Sequence, residues 1–164
     1  MSLEVVDTNV WAVANGQHPE ATQQCVHECI TFLFDRNKKF VFDSDFKILT
    51  EYRSVMPIGS TMNRFLNEIQ KNPARVEWVD LEKTDPPNEQ KDGDWYSVLP
   101  NSDDLFTFDK SDRKFLAAAL AIALRQIPVS LVNASDSDWC EIVNFLAANN
   151  ITFKDLCELC NSSI

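Results

Sequence analysis

Short apolar runs alternate along the chain with longer amphipathic segments. The short runs are suited to buried strands, and the longer segments, in which apolar residues recur every three or four positions, are typical of helices. The predicted strands cover residues 3–7, 39–44, 75–81 and 129–134. The predicted helices are a short one at 9–14 and longer ones at about 20–35, 45–56, 60–71, 112–125 and 138–150. A last short strand and helix are predicted within residues 151–160.

The order of these elements predicts the class of fold. Strands separated by helices form parallel sheets, because two parallel strands must be joined by a crossover connection. We therefore expect an α/β protein with three layers, in which helices cover both faces of a mostly parallel central sheet. A chain of 164 residues has the ordinary size of one domain, so residues 1–164 are predicted to form a single domain.

One stretch interrupts the alternation of strands and helices. Residues 82 to about 106 are rich in Pro, Asp and Asn, and they are predicted to form an exposed inserted loop with few core residues. Within residues 82–104 seven acidic residues stand against two lysines, a balance of −5 in a chain whose net charge is −10. A lid, a dimer contact and a docking site for a basic partner are the roles left open for this loop.

Composition narrows the class of protein further. Hydrophobic residues make up 45 % and charged residues 24 % of the chain, which are proportions of a folded globular protein. No apolar run is long enough to cross a membrane and no signal sequence opens the chain, so we expect a cytoplasmic protein without membrane contact. The pI of about 4.6 disfavours a nucleic-acid partner, although a bound metal ion would offset acidic residues gathered around it.

Several acidic residues occupy positions where the apolar pattern continues around them. Asp7 ends the first predicted strand, a position from which a side chain reaches the edge of an α/β sheet, and capping of the next helix is its other interpretation. Glu51 falls inside the apolar stripe of its helix, where a carboxylate needs a partner, a proton or a metal ion. An ion pair with Lys47 or Arg53 is the alternative for Glu51. Asp112 opens the next apolar helix, where it could act as a cap.

Two further acids, Asp136 and Asp138, follow the buried strand at 129–134. Asp138 is the predicted cap of the next helix, which leaves Asp136 to point elsewhere. Elements at the top edge of a parallel sheet would bring Asp7, Asp112 and Asp136 together with Glu51. Their mutual repulsion would raise their pKa values unless a cation lay between them, and hard oxygen ligands suit Mg²⁺ or Mn²⁺.

Four segments of the chain, taken together, resemble the PIN-domain ribonucleases. They are "VVDTNVW", "ILTEY", "DRKFLAAAL" and "VNASDSDW", in the order and at the approximate spacing of that family across residues 3–152. The resemblance implies a PIN-like fold and an endoribonuclease that hydrolyses RNA phosphodiester bonds with Mg²⁺ or Mn²⁺. It implies that the catalytic and metal-binding residues are Asp7, Glu51, Asp112 and Asp136. Asp138 is a fifth candidate ligand.

The same resemblance implies the surroundings of the site. Thr8, Asn9 and Ser135 are predicted to position ligands or the nucleophile. The cations that flank the acids in sequence are the candidates for RNA contact, namely Lys47, Arg53, Lys110, Arg113 and Lys114. Because the family includes toxins of bacterial toxin–antitoxin pairs, an antitoxin protein is one predicted partner, and a second copy of this chain is another. The long acidic loop and the low pI depart from the family pattern.

Two other classes of function stay open. A PIN-like fold that no longer cleaves RNA and serves as a binding or assembly module would suit the acidic surface. A phosphatase of the haloacid-dehalogenase type also begins with an Asp after a strand. It requires a second Asp two residues later, however, and this chain has Asn9 there.

The five cysteines cannot all pair within one chain, so we expect reduced thiols. Cys25 and Cys29 lie four residues apart in a predicted helix, and Cys157 and Cys160 lie three apart. This spacing would suit a zinc site. Since these residues also lie on apolar stripes, small buried thiols are the alternative.

Overall fold

A five-stranded parallel sheet forms the centre of the protein, in a computed structural model that describes residues 2–87 and 93–163. Helices flank the sheet, which confirms the predicted three-layer α/β/α arrangement. The strands of this sheet are β1 (Leu3–Val6), β2 (Lys39–Asp43), β3 (Val76–Val79), β6 (Val129–Asn133) and β7 (Ile151–Asp155). The inserted stretch adds an antiparallel pair, β4 (Lys83–Thr84) and β5 (Trp95–Tyr96).

The helices connect the strands in the predicted order. They are α1 (Thr8–Ala14), α2 (Gln23–Phe34), α3 (Lys47–Ser54), α4 (Thr61–Gln70), α5 (Asp103–Phe106), α6 (Arg113–Leu124), α7 (Asp138–Glu141) and α8 (Val143–Ala148). Short 3₁₀ helices cover Pro73–Arg75 and Cys160–Ser163. Within the described part of the chain, no helix is both long and apolar enough to cross a membrane.

The order of strands in the sheet is β3-β2-β1-β6-β7, with every pair parallel. Strands β2 and β3 are added in turn on one side of β1, and strands β6 and β7 are added later on its other side. The direction of building therefore reverses between β1 and β6. In open α/β sheets such a switch point opens a crevice beyond the carboxyl ends of the strands. Asp7 follows β1 and Asp136 lies just beyond β6, so both acids lie at this crevice.

The two strands at the switch point are buried along their whole length, because helices cover both faces of the sheet. Their apolar runs follow from this burial. Glu4 is the charged exception, and its carboxylate accepts a hydrogen bond from Lys154 Nζ at 2.7 Å. A buried carboxylate is tolerated at this position because a cation is held beside it.

Two helices have boundaries that differ from the predicted ones. Helix α3 begins at Lys47 because the Asp43 carboxylate accepts the backbone N–H groups of Lys47 and Ile48, at 3.0 and 2.8 Å. The helix predicted over residues 138–150 is divided at Ile142 into α7 and α8. The prediction that Asp138 caps this helix is wrong, because Asp138 is the first residue of α7 and Ser137 is its N-cap.

The insertion is not the exposed loop with few core residues that the sequence predicts. Trp95, Tyr96 and Leu99 are buried, because they pack into the same core as the helices and the central sheet. The guanidinium group of Arg113, at the start of α6, donates to the carbonyl oxygen of Asp94 at 3.3 Å and to that of Phe106 at 3.1 Å. Three of the charged residues counted in the loop, the acids Glu89 and Asp92 and the base Lys91, lie outside the described residues.

The expectation of reduced cysteines is also corrected. Cys25 on α2 is joined to Cys157, and Cys140 on α7 is joined to Cys160. The segment after β7 runs close to both helices, so its two cysteines meet partners far from them in the sequence. The remaining thiol is that of Cys29, and it is buried.

Candidate metal centre

Three carboxylates from distant parts of the sequence meet at the switch point of the sheet. One oxygen each of Asp7, Asp112 and Asp136 lies within 4.8 Å of the others. Asp7 follows β1, Asp136 lies in the loop after the neighbouring strand β6, and Asp112 immediately precedes α6. Helix α6 packs on both of these strands, which brings its amino-terminal end to their tips. The structure thus brings together three of the four acids that the sequence predicts to form the site.

The Asp7 side chain is almost fully buried and is held at both oxygens. Its Oδ1 accepts the backbone N–H of Asn9 at 3.0 Å, and its Oδ2 accepts a hydrogen bond from the indole nitrogen of Trp139. Capping of α1 and membership of the acid cluster are therefore both true of this residue. The pKa of Asp7 is raised to about 7: burial raises it most, the two hydrogen bonds lower it, and the charges of Asp136 and Glu51 raise it further.

Asp112 is the residue most disfavoured as an anion. It precedes α6 but makes no side-chain capping bond, and it is 5 % exposed. Burial raises its pKa to about 9, with further contributions from the charges of Asp7 and Asp136. The Asp112 side chain therefore does not cap α6, so capping does not explain an acidic residue at this position. The raised pKa values of Asp7 and Asp112 favour their protonated forms, and a divalent ion would replace those protons.

A network of amide side chains positions the loop that carries Asp136. The Oδ1 atom of Asn9 accepts the backbone N–H groups of Ala134 and Ser135, at 2.9 and 3.3 Å. The amide of Asn9 donates to Asn133 Oδ1 at 3.0 Å, and Asn133 in turn bonds both the N–H and the carbonyl oxygen of Asp136. Asn9 thus has a positioning contact of the kind predicted for it. The Ser135 contact runs through its backbone.

Glu51, the fourth predicted acid, stands beside the three-carboxylate group and is not part of it. Its Oε1 accepts the hydroxyl of Thr8 at 2.7 Å, and its Oε2 forms an ion pair with Lys114. Neither Lys47 nor Arg53 is its partner. The carboxylate is 28 % exposed and lies close enough to raise the pKa of Asp7. It therefore has access to solvent at the rim of the cluster.

A second group of acids shares Asp112 with the first. Ligand oxygens of Asp109, Asp112 and Asp138 also lie within 4.8 Å of one another. Asp138, the fifth predicted ligand, belongs to this group, and burial and the charge of Asp136 raise its pKa. Asp109 is not among the ligands predicted from the sequence. Its signal is the spacing "DKSD", which puts two acids on one turn ahead of the helix.

Trp139 is another residue of the site that the sequence does not identify. It is fully buried, and its indole N–H is the side-chain donor to Asp7. The sequence feature that could have identified Trp139 is its position directly after Asp138, at the start of an amphipathic segment.

The cations predicted to contact RNA have different surroundings. Arg113 is buried and engaged with the carbonyl oxygens of the insertion, so we omit it from the RNA contact. Lys114 pairs with Glu51, and Arg53 donates to Asn67 and Gln70 on α4. Lys47 approaches the Asp94 carboxylate at 3.9 Å. Lys110 is exposed, and its side chain passes over Gly93 of the insertion.

The donor set fits a hard divalent cation. Carboxylate oxygens at this spacing match the ligands that Mg²⁺ and Mn²⁺ prefer, and two groups that share one acid offer room for one or two ions. Comparison of the chain with protein-family models, with curated protein sequences and with solved structures finds no match. The functional argument therefore rests on the geometry of this cluster.

Proposed function

We propose that this protein is a metal-dependent endoribonuclease of the PIN type, which hydrolyses RNA phosphodiester bonds with Mg²⁺ or Mn²⁺. The observation that carries the proposal is the meeting of Asp7, Asp112 and Asp136 at the switch point of a parallel sheet. Two features of these acids need an explanation: they are close together, and Asp7 and Asp112 are buried. Acids on an ordinary solvated surface are not buried, and buried acids without a ligand destabilise the fold. A function that uses a cation explains both features.

Each residue of the site has a role in this proposal. Asp7, Asp112 and Asp136 would hold the ion, and Asp109 and Asp138 would hold a second one. A divalent ion supplies Lewis-acid stabilisation of the phosphoryl oxygens and lowers the pKa of an attacking water. Glu51, at the exposed rim, would orient that water, and Thr8 fixes the rotamer of Glu51.

The RNA contact is the weakest electrostatic part of the site, because the chain carries a net charge of −10. Lys110 and Lys47 are the cations that would meet the phosphates. Lys114 would do so after exchanging the Glu51 carboxylate for a phosphate oxygen. A cytoplasmic location, an antitoxin partner and a homodimer belong to the same hypothesis and derive from the resemblance to toxin-like PIN domains.

The test compares RNA cleavage by the wild type with cleavage by Asp7→Asn, Asp112→Asn and Asp136→Asn. Each of the three is expected to lower Mn²⁺-dependent cleavage by roughly a hundredfold or more, since each removes an anionic ligand. Asp80→Asn is the matched control, because Asp80 is an exposed acid that follows β3 at the same edge of the sheet. Wild-type cleavage by Asp7→Asn, with circular dichroism unchanged, would refute the proposed mechanism.

A binding module without catalysis is the second candidate, and one contact favours it. The ion pair between Glu51 and Lys114 neutralises the acid that would orient water. In that case the three carboxylates still bind metal, but no RNA is cleaved at any metal concentration. Metal binding measured together with cleavage distinguishes the two candidates.

A further inference from the structure

The sulfur atoms of three cysteines lie close together, and none of these residues belongs to the acid cluster. Cys25 and Cys29 lie one turn apart on α2, and Cys157 follows β7. The three sulfur atoms all lie within 4.8 Å of one another. Cys25 and Cys157 form a disulfide, so the thiol of Cys29 lies directly against that bond.

This spacing is close to that of a thiolate metal site. A Zn–S bond of about 2.3 Å in tetrahedral geometry places the sulfurs about 3.8 Å apart, a distance that small rotations of these side chains reach. Thiolates are ligands that Zn²⁺ prefers, whereas Mg²⁺ prefers carboxylates. Cys160, which the sequence offers as a fourth ligand, is joined to Cys140 and is not part of this group.

A cavity of about 380 Å³ opens beside the sulfurs. Cys25 and Cys157 line it together with the carboxylates of Glu28 and Asp155. The Oδ1 atom of Asp155 is buried and has no hydrogen-bond partner among the described residues, whereas its Oδ2 accepts the N–H of Cys160 at 2.6 Å. The cavity offers a fourth coordination position to a water molecule or to a carboxylate.

We propose that Cys25, Cys29 and Cys157 form a Zn²⁺ site that replaces the Cys25–Cys157 disulfide when that bond is reduced. The two states hold the same pair of elements, because either the disulfide or the ion ties the segment after β7 to α2. This inference does not depend on the proposed nuclease activity, since it uses none of the residues of the acid cluster.

The exchange balances with a dithiol as the reductant. The dithiol gives two electrons and two protons to the Cys25–Cys157 bond, which yields two thiols, and the dithiol itself becomes a disulfide. Binding of Zn²⁺ by the three cysteines then releases the three thiol protons to solvent. The reverse sequence, loss of the ion and oxidation by a small disulfide, restores the starting bond.

The test uses Co²⁺ as a spectroscopic probe for Zn²⁺, with the full chain in oxidised and in reduced form. The reduced protein is expected to bind one equivalent of Co²⁺ with a thiolate-to-metal charge-transfer absorption, which Zn²⁺ then bleaches. Carboxylate-bound Co²⁺ at the acid cluster lacks that absorption. The oxidised protein is expected to show none of it.

Cys29→Ala is the decisive variant, because it keeps the Cys25–Cys157 pair and removes the third sulfur. We expect it to weaken Co²⁺ binding to the reduced protein by roughly tenfold or more and to lower the charge-transfer absorption. The double variant Cys140→Ser, Cys160→Ser is the matched control, since it removes the other two thiols and is expected to bind as the wild type does. Cys29→Ser serves as a second variant if circular dichroism shows that the alanine variant is unfolded.

Two results would overturn the inference. One is reduced wild-type protein that shows no charge-transfer absorption at a stoichiometric Co²⁺ concentration. The other is equal Co²⁺ affinity of the wild type and a folded Cys29 variant, which would mean that the third sulfur is not a ligand.

Discussion

At the scale of the residue, the buried carboxylates show a balance between burial and hydrogen bonding. Asp7 accepts two hydrogen bonds that favour its anion, and burial still raises its pKa to about 7. Asp112 lacks a capping bond, and its pKa lies higher, at about 9. Hydrogen bonds to the anion thus reduce the effect of burial at Asp7 without overcoming it. In the proposed function a divalent cation would replace the protons on these two carboxyl groups.

The raised pKa values predict how stability depends on pH in the presence of a chelator. The native state keeps protons on Asp7 and Asp112 up to about pH 7 and 9, whereas the unfolded chain releases them near the ordinary value of 3.8. Unfolding between these pH values therefore releases protons, so the free energy of unfolding falls as pH rises from about 4 to 9. Urea denaturation at a series of pH values measures this slope.

Asp112→Asn is expected to flatten that slope, because a neutral amide replaces the protonated carboxyl and has nothing to release. Asp80→Asn, at an exposed site, is the control and should leave the slope unchanged. A slope that is identical in Asp112→Asn and the wild type would contradict the raised pKa of Asp112.

At the scale of the element, the loop between β6 and α7 is the part that must be held in place. Its backbone is bonded to the side chain of Asn9, which belongs to α1, and to Asn133, the last residue of β6. Side-chain hydrogen bonds thus join the start of α1, which follows β1, to the end of β6 and the loop after it. The position of Asp136 relative to Asp7 depends on these bonds.

Asn9→Ala is expected to loosen this loop without removing a ligand. Two backbone N–H groups and one amide lose their partner, so the free energy of unfolding falls by about 1–3 kcal/mol. Metal affinity falls as well, because Asp136 is no longer held. Thermal denaturation with and without Mn²⁺ measures both effects. Asn101→Ala, at an exposed position in the insertion, should change neither, and a similar loss in both variants would disprove the positioning role of Asn9.

The insertion behaves as a structural element, because its aromatic residues lie in the core. Burial of Trp95, Tyr96 and Leu99 stabilises the fold by roughly 1.5–3 kcal/mol for each side chain. Replacing residues 83–103 by a Gly/Ser linker is therefore expected to lower the Tm by roughly 10 °C or more, or to prevent folding. Replacing residues 88–92 alone is the control and keeps all three buried side chains. An unchanged Tm for the longer replacement would show that these contacts do not stabilise the sheet.

At the scale of the whole molecule, the acid cluster adds to a chain that is already strongly acidic. Binding of a divalent cation to the native state removes the repulsion within the cluster and lowers the net negative charge. The unfolded chain has no such cluster, since the three acids come from three distant segments. Metal binding is therefore expected to stabilise the whole fold.

The corresponding measurement is a thermal scan in Mg²⁺ or Mn²⁺. At a metal concentration 100 times the dissociation constant the native state gains about 2.7 kcal/mol, which raises the Tm of a chain of this length by roughly 5–11 °C. EDTA should reverse the shift. The Asp7→Asn variant should show little of it. In the absence of metal and above about pH 7, where Asp7 is charged, the Tm of this variant is expected to equal or exceed that of the wild type because one repulsive charge is gone. No shift in the wild type at millimolar metal would count against a metal site.

The sequence by itself determined the order of strands and helices and the position of acids at strand tips. These features are local, because the spacing of apolar residues fixes which faces can be buried, and a residue directly after a strand must lie at the edge of the sheet. Asp7 and Asp136 could therefore be assigned to one edge before any contact was known.

Tertiary structure alone decided the pairings between residues that are distant in sequence. The ion pair of Glu51 with Lys114, the burial of Arg113 under the insertion and the joining of Cys25 to Cys157 leave no periodic signal. Each depends on which surfaces face one another after the sheet has formed. Whether a polar side chain binds a ligand or a neighbour is settled at that stage, because burial removes water and makes the nearest partner decisive.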